Sequence, residues 1–334
     1  NGLGMNPQKL ASLDGADYAL TQTVDTSSGA TTGYYSLDVT NPESTNLEEV
    51  RIIDMLPLVG DQMTLTSNAK KSTVQLQVDG MTLADGSALP SSCELYYSED
   101  ATPATNLVEL TDFTVPSGAT WIPWDGASTL PASAKAVKLV KTDGLNATES
   151  FGVRLQVTIP KNDSGSTLVG WNAISAGGKH AGGYIVPGEP HKSGFYISEN
   201  AATEKLAGIL WEDDNGNDVR DEGEPVFAKK TVRLYDWDDS LVAQTETDDD
   251  GRYEFDGLLP ERYRVEVDMP SNFEVTGYRV GSDKSVDSDF VSTGTYLVGA
   301  TVNLATETHP LAIDGGFYKK ASLGDYVWED SNGN

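Results

Sequence analysis

Apolar residues recur at every second position in four separate stretches of this chain. They are Val74, Leu76 and Val78; Val153, Leu155, Val157 and Ile159; Val232 and Leu234; and Tyr263, Val265 and Val267. The residues between them are mostly Gln, Arg, Thr and Glu. A side-chain period of two belongs to a strand with one buried and one wet face. Clusters such as DTSSGATTG, VDGMTLADGS and TDDDG separate the runs and read as turns. The pattern shows no amphipathic helix longer than two turns, and 131–142 is ambiguous, Ala-rich and then alternating. The expected class is all-β, with antiparallel β-sandwiches in series.

An internal repeat sets the domain length. LAGILWEDDNGN (206–217) returns as LGDYVWEDSNGN (323–334), with Trp211 and Trp328 117 residues apart. That spacing suits one small β-domain. The expected division is a β-sandwich over 1–200, a second module over 204–320, and over 321–334 the first strand of a further repeat cut within its motif. SENAATEK (198–205) is the short linker.

The chain carries 51 acidic against 23 basic residues, a net charge of −28. Such an excess disfavours nucleic acid and anionic membrane surfaces, both of which need a basic face, and favours cations. Residues 204–320 hold about half of the excess. Cys93 is the sole cysteine, which excludes an internal disulfide and multi-cysteine metal sites. No run of about 18 apolar residues is present to span a membrane. The first residues lack the apolar core of a signal peptide, so the expectation is a mature fragment whose anchor lies outside it.

The strongest chemical signal starts at Asp213. Taken as position one of a twelve-residue loop, it is followed by Asn215 (three), Asn217 (five), the Val219 carbonyl (seven), Asp221 (nine) and Glu224 (twelve). This is the acceptor order of an EF-hand-type calcium loop: a hard cation takes six to eight oxygens, and the last carboxylate closes the cage. Magnesium, which holds to a stricter octahedron, suits the set less well. Position six is Asp218 where glycine is usual, a substitution costing about 1 kcal/mol if φ is positive. LAGILW reads as a strand, so the loop sits on a β-scaffold. Weaker candidates for further calcium ligands are Asp236, Asp248 and Asp250, should their strand ends lie together, and the pair Asp287 and Asp289.

The segment 206–224, LAGILWEDDNGNDVRDEGE, with VRLYDWDD (232–239), TDDDGRYEFDGLLPERYRVEVDMP (247–270), DSD (287–289) and IDGGFY (313–318), resembles the calcium-binding B repeats of serine-aspartate-repeat surface adhesins. Asp218 and Glu261 depart from the family pattern without removing a ligand position. The resemblance implies a seven-stranded sandwich of the collagen-adhesin B type, whose calcium ions stiffen a stalk that carries a ligand-binding head away from the cell wall, with neighbouring repeats as partners. YYSLDVTNPESTNLEEVRIIDMLP (34–57) resembles the conserved repeat domain of prokaryotic surface proteins. There Leu47, Val50, Ile52 and Ile53 are expected to pack the core and Asp54 to tie down a turn.

No nucleophile–base set, phosphate loop or metal-spaced histidine pair argues for an enzyme. A Lys–Asn cross-link is conceivable between Lys205 and Asn303; in the first domain the sequence names no pair. Trp121 and Trp124 are expected to plug the end of a sandwich rather than to stack on a ligand. The reading is a non-enzymatic, extracellular, cell-wall-associated adhesin or stalk, with calcium as cofactor. Its alternative is an adhesin head whose 1–200 domain binds a host protein or glycan.

Overall fold

The computed structural model describes residues 4–199, 203–307 and 311–320. The chain divides into two compact units between Ala202 and Thr203. The expected start of a further repeat at 321–334 lies outside the described residues.

The first unit runs β1 (Asn6–Ser12), β2 (Thr21–Asp25), β3 (Thr31–Thr40), β4 (Glu49–Met55), β5 (Gln77–Leu83), β6 (Cys93–Ser98), α1 (Pro103–Thr111), β7 (Ile122–Trp124), β8 (Ala136–Lys141), β9 (Ser150–Ile159), β10 (Leu168–His180), β11 (Gly183–Gly188) and β12 (Ser193–Ser198). One sheet has the order β1-β3-β9-β5; the other is β2-β12-β10-β4-β8-β6-β7, with β11 on β10. Pairing is antiparallel except for β2 beside β12. The alternation in 153–159 becomes a row of fully buried side chains on β9, which meets Tyr35, Leu37 and Val39 of β3 and Ile52, Leu139 and Ile174 of the facing sheet in one core. Each such side chain contributes about 1.5–3 kcal/mol by leaving water.

Leu47, Val50 and Ile52 enter that core, whereas Ile53 faces the opposite way and packs with Leu110 of α1. Trp124 is buried, with its indole N–H on the Ser128 carbonyl at 2.7 Å, and Trp121 is half-buried beneath the Lys138 ammonium. Within segment 131–142, Ala136–Lys141 form β8 and the residues before it form a turn.

Two expectations are corrected. The nine-residue α1 was not anticipated. Thr102 caps it, Pro103 opens it with a preset φ, and Thr102 and Thr105 satisfy each other's backbone N–H groups. Asp54 ties down no turn: it lies within β4, fully buried, and pairs with Lys9.

The second unit comprises β13 (Glu204–Glu212), β14 (Thr231–Tyr235), β15 (Leu241–Glu246), β16 (Arg252–Leu258), β17 (Arg262–Asp268), β18 (Phe273–Val275), β19 (Val291–Ser292), β20 (Leu297–Asn303), β21 (Leu311–Ala312) and β22 (Gly315–Lys319). Seven of these strands have five or more residues, and three are shorter. The two sheets are β16-β13-β22-β18, with β21 also on β13, and β15-β14-β17-β20-β19. The pairings of β13 with β21 and β22 are parallel. Leu206, Leu210, Trp211, Val232, Leu234, Val265, Phe290, Val298 and Phe317 are buried. The chain is therefore all-β apart from α1 among the described residues.

Candidate metal centre in the second unit

β13 delivers Trp211 into the core and the next two residues to the sheet's end. Glu212 still pairs with Phe317, and the Asp213 N–H donates to the Phe317 carbonyl at 2.8 Å, which extends the ladder one step into the loop. Asp213 is thus anchored and buried. Its carboxylate collects the loop: Oδ1 accepts from the N–H groups of Gly216 (2.7 Å) and Asn217 (3.1 Å), and Oδ2 from the N–H of Asp218 (2.9 Å) and the Thr276 hydroxyl (2.8 Å).

The remaining positions close on one another. Asn215 Oδ1 accepts from the Asn217 N–H at 3.0 Å, and Asn217 Oδ1 from the Val219 N–H at 2.9 Å. The Asn215 and Asn217 amide groups both donate to Asp221 Oδ2 at 2.7 Å. Glu224 spans the loop, with Oε1 accepting from the Asp214 N–H at 3.1 Å and Oε2 from the Asp221 N–H at 2.9 Å. Asp213, Asn215, Asn217, Val219, Asp221 and Glu224 therefore belong to one hydrogen-bonded loop.

At position six the backbone turns left-handed, Asp218 having φ 65°. The aspartate has a use a glycine lacks. Its Oδ1 accepts from the Thr276 hydroxyl at 2.6 Å and the Gly277 N–H at 2.7 Å, which pins the loop to the segment after β18. These two bonds, the hydroxyl's first, hold the Asp218 carboxyl below its usual range. Thr276, which bonds both Asp213 and Asp218, carries no sequence signal; only the fold brings it here.

The DSD pair lies against this loop. The Arg220 N–H donates to the Val286 carbonyl at 2.8 Å, and its guanidinium to the Ser285 carbonyl at 3.1 Å. Asp287 is buried, with Oδ2 paired to Lys284 at 2.8 Å and Oδ1 without a partner. Asp289 Oδ1 meets the Arg279 Nε at 2.9 Å, and Oδ2 accepts from the Asp314 N–H at 3.2 Å. Asp314, in the IDGGFY motif, lies beside Asp289, and no loop spacing in the sequence marks it. Burial pushes its carboxyl up to about 6, with the Asp289 and Asp287 charges adding and Arg220 opposing. Burial also raises Asp289.

The other acids are not gathered. Asp236 Oδ1 accepts from the N–H groups of Asp238 and Ser240, both at 2.9 Å, in the turn from β14 to β15. Asp248 Oδ1 accepts from Asp250 (2.9 Å) and Arg252 (2.8 Å) in the turn from β15 to β16. The β14–β15 hairpin turn and the β15–β16 crossing between sheets lie at opposite ends of β15, here six residues or roughly 20 Å. Asp236 therefore does not meet Asp248 or Asp250, and Asp236 and Asp248 each cap their own turn. Lys205 is exposed and paired with Glu254 and Asp256, and these bonds raise its pKa; it is no desolvated nucleophile for Asn303, whose strand belongs to the other sheet.

The Asp213–Glu224 loop supplies oxygen donors only, the kind a hard cation takes. The two asparagine amides now donate to Asp221; turned about, each would present its oxygen instead. Among the described residues no three His, Cys, Asp or Glu side chains are gathered into a metal-holding group. The loop's acceptor set depends as much on two amides and a carbonyl as on its three carboxylates.

Residues 204–317 match the SdrD B-like domain family. Serine-aspartate repeat-containing protein D of Staphylococcus aureus (strain Newman) is 37% identical over 142 residues, 42% of this chain and 10% of that protein. Serine-aspartate repeat-containing protein F of Staphylococcus epidermidis is 38% identical over 142 residues, 42% of this chain and 8% of that protein. The chain thus spans a tenth or less of these relatives. Among solved structures, the major pilin subunit BcpA of Bacillus cereus aligns at a TM-score of 0.29 and 10% identity, over 95% of this chain and 71% of that one. Domains D2 and D3 of the pilin SpaD of Corynebacterium diphtheriae give 0.29 and 14%, over 94% of this chain and 99% of that one. Likeness at that score carries no argument. Over its second unit, the chain resembles the B repeats of Sdr-type surface adhesins.

Proposed function

We propose that this chain is part of a non-enzymatic cell-surface adhesin and that its second unit is a stalk module stiffened by calcium. The observation that supports it most is the closed loop at Asp213–Glu224. Acceptors in calcium-loop order are tied into one ring, anchored at one end by the β13–β22 ladder and at Asp218 by Thr276. Asp213, Asn215, Asn217, Asp221, Glu224 and the Val219 carbonyl would hold the ion. Asp287 and Asp289 are the weaker candidates: among the described residues they form no three-carboxylate cage, but the buried Asp287 Oδ1 is without a partner, which is costly unless a donor or cation meets it.

The mechanism is linkage. An ion bound only by the folded unit stabilises it by about 2.7 kcal/mol at a concentration one hundred times its Kd. Stiffness follows because a bound ion ties the start of the loop to its end and resists its opening. Neighbouring B-type repeats are the proposed partners, and the cell wall the proposed location, through a segment beyond these residues.

Isothermal titration with calcium, with magnesium as control, tests the reading together with thermal melts before and after chelation. The expected result is saturable calcium binding and a melting transition that falls by several degrees on chelation. No calcium heat and an unchanged melt would overturn it.

A further inference from the structure

The first unit holds charge and amide chemistry in its dry interior that neither the fold nor the calcium reading uses. Lys9 and Asp54 form an ion pair at 2.9 Å with side chains 0% and 1% exposed. Lys9 lies between Pro7 and Ala11 on the buried face of β1, and points from one sheet to the other. Asp54 lies two residues from Ile52 and two from Leu56, both members of the inner core. Its Oδ1 is buried without a partner.

Asn172 is fully buried on β10, and both its amide nitrogen and its amide oxygen lack partners. It shares a face with Ile174 and Ala176, which belong to the same inner core. Ile174 pairs directly with Asp54, so Asn172 is the diagonal neighbour of Asp54 on that face. Such neighbours stand about 7–8 Å apart or somewhat less, within reach of the four-carbon lysine stem that already touches Asp54. β1 itself packs against β10. Three orphaned polar atoms thus share one face with a buried lysine.

We propose that Lys9 and Asn172 become joined by an intramolecular amide bond, with Asp54 as the proton-handling acid. Asp54 takes a proton from the Lys9 ammonium, leaving a neutral amine and a neutral acid. The Nζ lone pair attacks Asn172 Cγ while the Asp54 proton is shared with the amide oxygen that gathers charge. The Nζ–Cγ bond forms, the Cγ–Nδ2 bond breaks, and Nδ2 departs as ammonia with two protons of its own and one from Nζ. Asp54 keeps the proton it took and donates it to the new amide oxygen. No oxidant or external reactant is needed.

The outcome removes what is costly in the core. A buried ion pair and an unsatisfied amide become a neutral amide and a neutral acid, with the orphaned oxygens paired. Burial lowers the Lys9 pKa, against the opposing pull of Asp54, so the neutral amine is within reach. Lys70 is the competing nucleophile, being also fully buried. Its Nζ, however, is held by the Met55 and Leu56 carbonyls and by Asp61 at 3.2 Å.

The test is the intact mass of the whole folded chain, followed by peptide mapping. The expected mass is that of the sequence less one ammonia, with one branched peptide joining the Lys9 and Asn172 segments. Asn172→Ala and Asp54→Asn should each return the mass to that of their unlinked sequence. A wild-type mass equal to the full sequence would overturn the proposal, and so would a link that maps to Lys70. The wild-type measurement decides the matter even if a variant fails to fold.

Discussion

The two units bury charge in opposite ways. The first places bases and acids together in its interior: Lys9 with Asp54, Lys70 with Asp61, and Lys138 with Glu109 beneath α1. The second buries Asp213, Asp287, Asp289 and Asp314 at one loop-bearing end, and no lysine of that unit is buried among its described residues. The first unit therefore carries its own counter-charge. The second leaves part of that task to side chains half in solvent, such as Arg279 and Lys284, and the proposed calcium would supply more of it. A net charge of −28 is thus two different problems, one settled inside the fold and one at its edge.

Removing an internal counter-charge should give the largest effect. Asp54→Ala leaves Lys9 buried without a partner, a loss of about 3–5 kcal/mol before any covalent link is counted. Urea unfolding should show the first unit's transition moved to much lower denaturant and the second unit's transition in place. Equal movement of both would break the contrast.

The second unit should respond instead to what is in the buffer. Glu224→Gln keeps the shape but removes the loop's closing carboxylate, and its single acceptor oxygen retains only one of the two exposed bonds to the Asp214 and Asp221 N–H groups, a small loss in itself. With calcium at one hundred times the wild-type Kd, the variant should lose most of about 2.7 kcal/mol. In chelator, variant and wild type should melt within a degree or two of each other. A variant that melts early in chelator as well would make Glu224 a structural residue only.

These contrasts were unevenly legible. Alternation marked β9, β14 and β17, because half-buried strands write their two faces into every second residue; of the run 74–78 only Val78 lies in a strand, β5, and Leu76 is buried ahead of it. The calcium-type loop was legible because its acceptors are local. Helix α1 was not, since the residues it buries are Pro103, Asn106, Glu109 and Leu110, and a stripe half polar does not register as apolar periodicity. Lys9, Asp54 and Asn172 come from three strands that only the sheet order brings together. The one local trace was a lysine in the inward register of Pro7 and Ala11. Thr276 was invisible for the same reason.

Thr276 offers a smaller, sharper probe. Thr276→Val keeps the volume but withdraws the hydroxyl that meets Asp213 and Asp218. The Asp213 carboxylate is buried, so a loss of about 1–3 kcal/mol is expected in the second unit without calcium. Calcium should recover part of it, because an ion in the loop would hold Asp213 by other means. If calcium recovers nothing, the hydroxyl and the ion act independently.

The smallest effect belongs to position six. Asp218→Gly relieves a left-handed residue of about 1 kcal/mol of strain and forfeits two hydrogen bonds to the 276–277 segment, worth about as much. The two nearly cancel in chelator, so stability should change little. Calcium affinity should separate them. If Asp218 only shapes the turn, glycine serves as well and the affinity is unchanged. If its tether to Thr276 and Gly277 pre-organises the loop, the glycine variant must order a freer loop on binding, and calorimetry should show weaker binding with a larger entropic penalty. The second result is expected, because the tether fixes the residue that the Asp213 carboxylate must reach to close the ring.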